Sequence, residues 1–365
     1  MKMRILHISD DPLPDARVEK MAYLSKRRGW ETFFAGPGFR SFALNEEVFD
    51  GLHYVPWNRY VRLGLRPFFQ RTKKRLRRII EELKPDIIHA HDVFAAKMAS
   101  DLGYPFVFDD HELVSLEKKS DVQCGGHGMI DWVAGRYEVW RWSSWEREIC
   151  GETPVITVSD GISRHYTELG AKTYVVPNYP SLFELSKIRL SRKKDDVFTA
   201  VYLGSEIISK PRPFRNVRGI TEIFKELGMR LVVIGDKSLS STNLIISKGY
   251  IPHLKLYETM SRYHVGLLPW KKHWFHEYAN PNKPYIYAHS GMVVVVTSSL
   301  ENVVKAFRGR CRTIEDYSNL KDLLLELSRD MNDVQEEGRK IRDYALKNFI
   351  FEEYEDEVME SYKNA

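Results

Sequence analysis

Apolar and polar positions alternate along this chain in blocks that predict short β-strands separated by α-helices. Runs such as MRILHIS (3–9), DIIH (86–89) and PFVF (105–108) have the length and apolar character of buried strands. Between them, apolar residues recur at helical spacing, as in segment 93–102. Strands that alternate with helices in this way are typical of a doubly wound α/β domain with a parallel sheet.

The alternation is interrupted once and then begins again. Segment 185–196 (LSKIRLSRKKDD) is rich in charge and has no strand pattern, so it marks the predicted domain boundary. We therefore predict two Rossmann-like parallel-sheet domains, residues 1–184 and 185–349, with a ligand cleft between them. We expect the C-terminal helix, about 350–365, to pack back on the first domain.

Composition limits the class of protein. Hydrophobic residues make up 43% and charged residues 29%, which is normal for a globular protein with buried cores. No apolar run reaches the roughly 20 residues that span a bilayer, and the N-terminus resembles a first strand rather than a signal peptide. We therefore expect a cytoplasmic protein. Three scattered cysteines and the closely spaced HAH at 89–91 predict neither disulfides nor a metal site.

One segment is strongly basic. From Arg59 to Arg78 the chain carries nine Lys or Arg residues and no acid, with apolar residues interleaved. It fits a solvated helix face over a buried stripe, or a patch that meets an anionic membrane surface. Nucleic-acid binding is the third interpretation, but no nucleic-acid motif accompanies the segment, and the net charge of +5 is not diagnostic of it.

Two further groups of residues invite a functional interpretation. Asp109, Asp110, His111 and Glu112 follow a strand, at the edge where parallel sheets bind ligands. A histidine there can donate to a phosphate or a sugar hydroxyl, or merely cap the loop. A tryptophan cluster (Trp132, Trp140, Trp142 and Trp145) predicts core or domain packing, with acceptor or lipid contact as the alternative.

A short helix is predicted between the strand-like runs VGLLPW and MVVVVT. Asn280 is its expected N-cap, Pro281 its first helical residue and Gly291 its end. A helix N-terminus with Lys283 in the first turn attracts anions, which indicates a diphosphate or nucleotide-sugar site. The alternative is a βαβ crossover with an ordinary lysine.

Taken in order, these segments resemble the GT-B glycosyltransferases, specifically the retaining glycosyltransferase family four. The similarity covers almost the whole chain and is carried by MRILHISDDPLPDARVEK, DIIHAHD, FDDHEL, TVSDGI, YVVPN, VYLGS, LVVIGD and PNKPYIYAHSG. The DxRV motif, Asp15 to Val18, resembles a subgroup with lipid-linked or surface polysaccharide acceptors. The resemblance implies transfer of a sugar from a nucleotide diphosphate sugar to an acceptor hydroxyl, with retention, in polysaccharide, glycolipid or glycan biosynthesis.

The resemblance also implies roles for individual residues. Lys283 and Arg218 are expected to hold the donor diphosphate and stabilise the leaving group. His111 matches the family histidine near the donor sugar, and Glu277 lies one residue before the position of the sugar-binding glutamate. Further donor contacts are implied for Gly204, Ser205, Asn178, Asn280, Pro281, Asn282 and Tyr285, and acceptor-side contacts for Asp15, Arg17, Asp110 and Glu112. Neither a metal nor a cofactor other than the donor substrate is expected.

The sequence departs from the family pattern at two positions. Ile286 stands where a glutamate binds the ribose hydroxyls, and Ser205 stands where many members have a phosphate-binding arginine. Candidates to replace that arginine are Lys210, Arg212 and Arg215. These departures leave two alternatives open: a non-catalytic GT-B scaffold protein, and a GT-B sugar-nucleotide epimerase that would recruit His111, Glu112 and Glu277.

Overall fold

The computed structural model describes residues 2–124, 128–191, 193–204, 212–236 and 238–365. The chain forms two compact units. The first comprises Met1–Pro177 with Phe351–Ala365, and the second comprises Asn178–Ile350. The composition-based boundary after residue 184 therefore falls inside the second unit, because the charged segment 185–196 leads directly into that unit's first strand.

The first unit is built on a seven-stranded parallel sheet of order β3-β2-β1-β4-β5-β6-β7. Its strands are β1 (Arg4–Ile8), β2 (Glu31–Gly36), β3 (Gly51–Tyr54), β4 (Ile87–His91), β5 (Phe106–Asp110), β6 (Val155–Thr157) and β7 (Thr173–Val175). Its helices are α1 (Ala16–Arg27), α2 (Arg59–Arg62), α3 (Arg66–Leu83), α4 (Asp92–Leu102), α5 (Val114–Gln123), α6 (Met129–Cys150) and α7 (Asp160–Glu168).

The second unit is built on a six-stranded parallel sheet of order β10-β9-β8-β11-β12-β13. Its strands are β8 (Thr199–Leu203), β9 (Arg230–Ile234), β10 (Ile245–Ser247), β11 (Val265–Leu268), β12 (Val293–Thr297) and β13 (Arg312–Ile314). Its helices are α8 (Leu182–Lys187), α9 (Ile220–Glu226), α10 (His253–Met260), α11 (Lys283–His289), α12 (Glu301–Phe307), α13 (Tyr317–Leu327) and α14 (Met331–Asn348), after which α15 (Glu355–Lys363) belongs to the first unit.

Both sheets bury their central strands on two faces. Every residue of β4 and of β12 is buried, as expected when helices cover both sides of a parallel sheet. The predicted pair of doubly wound parallel-sheet domains is therefore confirmed. Within the described residues, no helix combines the length and the apolar character needed to cross a membrane.

Segment 117–130 is more helical than its sequence suggests. Its three glycines favour a loop, yet α5 runs through Gln123 and α6 begins at Met129. The two helices pack on each other: Lys118 Nζ lies 2.6 Å from Glu138 Oε2, and Ser115 Oγ donates to Glu146 Oε2 at 2.6 Å. Tertiary packing thus outweighs a weak local signal.

Candidate functional site

The second sheet has a switch point at its carboxyl edge, between β8 and β11. The strand order reverses there, and such an edge is where open α/β sheets bind ligands. Gly204 follows β8, and a Cβ at this position would lie 2.7 Å from the Tyr202 ring, so a larger residue would not fit. The predicted Ser205 and Lys210 lie outside the described residues.

Helix α11 begins at Lys283, two residues after the predicted first helical residue, Pro281. Asn280 is not its N-cap, because the side chain of Asn280 accepts a hydrogen bond from the Tyr285 hydroxyl at 2.6 Å. Asn282 is the capping residue, with a helical backbone and no side-chain cap bond, and Pro284 rather than Pro281 occupies the first turn. The predictions for Asn280 and Pro281 as helix-start residues are therefore wrong, while Lys283 remains in the first turn.

Lys283 lies against an aromatic ring at this edge. Its Nζ is 5.5 Å from the centroid of Trp270, a buried residue that follows β11. This ring contact positions the ammonium group at the mouth of the β8–β11 edge.

The loop that carries Arg218 meets the same edge. Asn216 joins the two, because its carbonyl accepts a hydrogen bond from the backbone N–H of Lys271 at 2.9 Å, and Lys271 directly follows Trp270. Asn216 Oδ1 also accepts from the Arg218 backbone N–H at 2.9 Å. Arg218 is exposed and is followed by Gly219, whose φ of +95° favours glycine.

Glu277 ends a 3-10 turn, Trp274–Glu277, and is exposed. The turn is fixed by His276, which donates from Nε2 to the Phe214 carbonyl at 2.7 Å and accepts at Nδ1 from Ser299 Oγ at 2.6 Å. Burial lowers the pKa of His276 to about 4, so the ring is neutral and keeps both bonds. His276 and Trp270 were not identified from the sequence as residues that support the site. The available signal was their position: His276 directly precedes Glu277, and Trp270 follows β11.

Two predicted positions of α11 belong to the core. Tyr285 is buried, with its ring stacked on Phe307 at 5.8 Å and edge-on to Tyr179 at 4.5 Å. Ile286 is 3% exposed. Both side chains are packed in the core, and the Tyr285 hydroxyl donates to Asn280 Oδ1. Asn178, which begins the second unit, is half-buried.

Arg212 and Arg215 are two of the candidates to replace the missing arginine. Arg212 precedes a second 3-10 turn, Pro213–Arg215, and Arg215 is its last residue. Arg212 is exposed. The Arg215 guanidinium lies 5.1 Å from the ring of Phe214, whose carbonyl is the acceptor for His276. The turn therefore places additional positive charge beside the loop of Arg218.

The carboxyl edge of the first sheet gathers acidic groups after β1, β4 and β5. Asp92 begins α4 with φ +62°, a strained conformation for a residue other than glycine. Burial, followed by the nearby carboxylates of Asp110 and Glu112, raises the pKa of Asp92 well above its usual value. The predicted His111 faces it, with Nε2 3.6 Å from Asp92 Oδ2, and Glu112 is exposed.

An arginine balances part of this acidic edge. Arg62 Nε lies 2.6 Å from Asp10 Oδ2, and Arg62 Nη2 lies 2.7 Å from Asp11 Oδ1. Burial nevertheless raises the pKa of Asp10 to about 7, against the opposing charge of Arg62. The Asp10 carboxyl at this edge therefore gains or loses its proton near neutral pH.

The other predicted acceptor-side residues form bonds within the first unit. Asp15 caps α1, and its Oδ1 accepts from Arg17 N at 2.8 Å. Arg17 is 2% exposed; its Nη2 lies 2.7 Å from Asp109 Oδ1, and its Nη1 donates to Val176 O at 2.8 Å. Asp110 is buried and accepts from the Tyr166 hydroxyl at 2.7 Å; burial raises its pKa to about 6. The structure thus assigns these three side chains to intramolecular bonds.

Three buried histidines of the first unit, His7, His89 and His91, bring ligating atoms within 4.8 Å of one another. Their rings are stacked within 26° of parallel, and His7 Nδ1 is 3.2 Å from His91 Nε2. The lone pairs of an imidazole lie in its ring plane, so rings stacked nearly parallel do not readily converge on one metal ion. His89 instead lies 2.8 Å from the Tyr362 hydroxyl and 3.3 Å from Asp109 Oδ2, and the expectation that no metal is used stays a prediction.

One family model and several solved structures are similar to this chain. The family model described as Glycosyltransferase Family 4 matches residues 18–179. Sucrose-phosphate synthase from Thermosynechococcus elongatus is 12% identical, with 99% of this chain and 98% of that chain covered and a TM-score of 0.75. HepE from Anabaena, solved with UDP and glucose, is 12% identical, with 99% of each chain covered and a TM-score of 0.68.

A glycosyltransferase from Rickettsia africae gives a similar result, at 13% identity and a TM-score of 0.63, with 99% of this chain and 98% of that chain covered. No curated protein sequence matches the chain. At such low identities the structural likeness is one of fold alone.

Proposed function

We propose that this chain, which has the GT-B fold and matches glycosyltransferase family 4 over residues 18–179, transfers a sugar from a nucleotide diphosphate sugar to an acceptor hydroxyl. The observation that supports it best is the grouping of Lys283 and the Arg218 loop at the β8–β11 edge. The backbone bond between Lys271 and Asn216 joins the two segments there. Two cations at the switch point of a parallel sheet suit a diphosphate.

In this proposal the second unit binds the donor and the cations act on the leaving group. As the bond between sugar and diphosphate breaks, negative charge grows on the diphosphate, and Lys283 and Arg218 stabilise it. Glu277, exposed at the end of the 3-10 turn that precedes α11, would accept hydrogen bonds from sugar hydroxyls. We further propose that the anomeric configuration is retained and that no metal is needed, as the family resemblance implies.

The nucleotide is the less constrained part of the donor. Ile286 occupies the position of the ribose-binding glutamate and is packed in the core, so other groups must bind the ribose. The Anabaena protein HepE has been solved with UDP and with UDP-glucose. A uridine diphosphate sugar is therefore the first donor to test here.

On the acceptor side, we propose a lipid-linked or glycan hydroxyl, with His111 and Glu112 at the edge of the first sheet nearest to it. The basic segment 59–78 suits an anionic membrane surface that would carry such an acceptor. The enzyme would then work at the cytoplasmic face of a membrane.

The donor site is tested by a thermal-shift screen of UDP, GDP and ADP and of their sugars, followed by hydrolysis assays with any nucleotide sugar that binds. A ligand in excess of its Kd should raise the melting temperature, since stabilisation grows as RT ln(1 + [L]/Kd). Lys283→Ala and Arg218→Ala should lose most of this shift. Lys347→Ala and Arg329→Ala, exposed residues of the same unit, are the matched controls.

A non-catalytic scaffold is the second candidate, favoured by the burial of Ile286 at the expected ribose contact. It predicts no turnover: either no nucleotide causes a shift, or one binds without hydrolysis or transfer to any acceptor. A shift abolished by Lys283→Ala and accompanied by turnover would exclude it.

A further inference from the structure

The tryptophan cluster of α6 divides into a packed half and an exposed half. Trp145 is 2% exposed, and Trp142 donates from Nε1 to the Arg62 carbonyl at 3.0 Å. Trp132 and Trp140 are exposed, the latter by 56%. Packing therefore accounts for the C-terminal half of α6, and the predicted packing role is wrong for Trp132 and Trp140.

The exposed half forms a continuous apolar stripe. Ile130, Val133, Tyr137 and Trp140 are spaced by three, four and three residues, which places them on one helix face over about 15 Å. Ile130 is 85% exposed. With Met129 and Trp132, which are exposed beside them, these residues define the α6 stripe. Contiguous apolar surface of this kind marks interaction sites.

A second exposed apolar group lies at the turn between α2 and α3. The rings of Tyr60 and Phe68 stack at 4.8 Å, and Leu65 is exposed beside them. The Trp142 bond to Arg62 attaches this turn to α6. Exposed cations then continue along α3 at Arg66, Arg71, Lys74, Arg75, Arg77 and Arg78.

A pocket of about 340 Å³ is lined by residues of α3, α4 and the C-terminal half of α6. Its lining includes Arg66 and Arg141, together with Lys97, Asp101 and Glu148. Lys97 Nζ donates to both Asp101 and Glu148. The Arg141 guanidinium lies 4.9 Å from the Trp145 ring centroid, and within the described residues its buried Nε has no hydrogen-bond partner. With three cations against two acids, the lining is positive on balance and suits an anionic group.

We propose that this face of the first unit docks on an anionic lipid bilayer, with the α6 stripe in the interfacial region and a lipid phosphate between Arg66 and Arg141. Tryptophan and tyrosine favour the level of the headgroups, and basic side chains favour anionic lipid. A second copy of the chain fits less well, because a two-fold contact would set the cations of α3 against themselves.

The inference rests on the proposed function, in that it supplies a surface for a lipid-linked acceptor. Docking can nevertheless be measured without any sugar donor. The full chain is sedimented with phosphatidylcholine vesicles that contain or lack phosphatidylglycerol. We expect roughly tenfold more bound protein with the anionic lipid, and loss of this difference at high salt.

Three double variants test whether the vesicles bind to this face of the first unit. Val133→Ser with Trp140→Ser removes apolar contacts and should abolish binding. Arg66→Gln with Arg141→Gln should leave weak binding that no longer distinguishes the two vesicle types. Leu325→Ser with Leu346→Ser, at exposed positions of the second unit, is the control and should bind as the unsubstituted chain does. Circular dichroism melting identifies any variant that fails to fold, and Trp132→Ser alone then replaces the stripe double variant.

Three results would overturn the proposal. The first is equal binding of the unsubstituted chain to vesicles with and without phosphatidylglycerol, and the second is a folded stripe variant that still binds. The third is a stripe-dependent dimer, detected by light scattering, in a chain that does not bind vesicles, since it would assign the surface to a second copy. Hydrolysis of a nucleotide sugar is unaffected by any of these results, so failure of docking and failure of the donor site are separate.

Discussion

The carboxyl edges of the two sheets place their charges in opposite ways. In the first unit, Arg17, Asp109 and Asp110 are buried and committed to each other or to neighbouring backbone and hydroxyl groups. In the second unit, Lys283 is half-buried against Trp270, and Arg218 is exposed. The charged groups at the first edge are therefore enclosed in the fold, whereas those at the second edge are half-buried or exposed. Substitutions at the two edges should separate stability from binding.

The largest expected effect is on stability at the first edge. Burial acts to raise the pKa of Asp109, but the charge of Arg17 and the bonds from His89 and His91 hold it well below its usual range. Arg17→Met leaves that carboxylate buried without its cation, which should lower the free energy of unfolding by roughly 3–5 kcal/mol. Urea denaturation measures this.

The matched variants are Arg17→Met with Asp109→Asn, which removes both charges and should recover part of the loss, and the exposed control Arg329→Met. If Arg17→Met unfolds like the control, the first edge does not depend on its buried ion pair, and the contrast between the edges fails.

At the second edge the expected effect is on turnover. Lys283→Ala should reduce kcat/KM for the donor by roughly a hundredfold, the usual result of removing one group that stabilises developing charge. The free energy of unfolding should fall much less than in Arg17→Met, since Lys283 is half-buried beside Trp270 and not enclosed in the core. Kinetics and urea denaturation on one preparation test both statements, and a destabilised variant with normal turnover would reverse the assignment.

The sequence predicts the strands and both sheets well because apolar runs bounded by turn residues determine them locally. It also identifies Lys283 and the Arg218 loop, since cations after a strand or at a helix start are visible in one dimension. It does not show that Arg17 bonds to Asp109, because the two residues are 92 positions apart in the sequence. The start of α11 is misplaced for a different reason: the sequence offers a second start at Asn282, and in the fold Asn280 accepts a hydrogen bond from the Tyr285 hydroxyl instead of capping the helix.

A third prediction concerns pH. Burial raises the pKa of Asp10 from 3.8 to about 7, so the folded state holds this proton more tightly than the unfolded state does. The stability it contributes is full below about pH 4 and is lost as the pH rises to about 7, at up to about 1.4 kcal/mol per pH unit. Subtracting the unfolding free energies of Asp10→Asn from those of the unsubstituted chain isolates this slope from the histidines, whose lowered pKa values act in the opposite direction.

The smallest expected effect concerns the backbone at Gly219, the residue that follows Arg218 at the ligand edge. Gly219 has φ +95°, and a Cβ there would meet only the Tyr317 ring at an ordinary 3.7 Å, so strain rather than a clash decides the outcome. Gly219→Ala should cost about 1 kcal/mol of stability and weaken nucleotide binding, because the strained turn carries Arg218. Gly228→Ala, at φ +64° in the same unit with open space around it, should cost similar stability and leave nucleotide affinity unchanged. Thermal shifts with the best nucleotide compare the two, and equal losses of affinity would mean that general destabilisation, not the position of Arg218, controls binding.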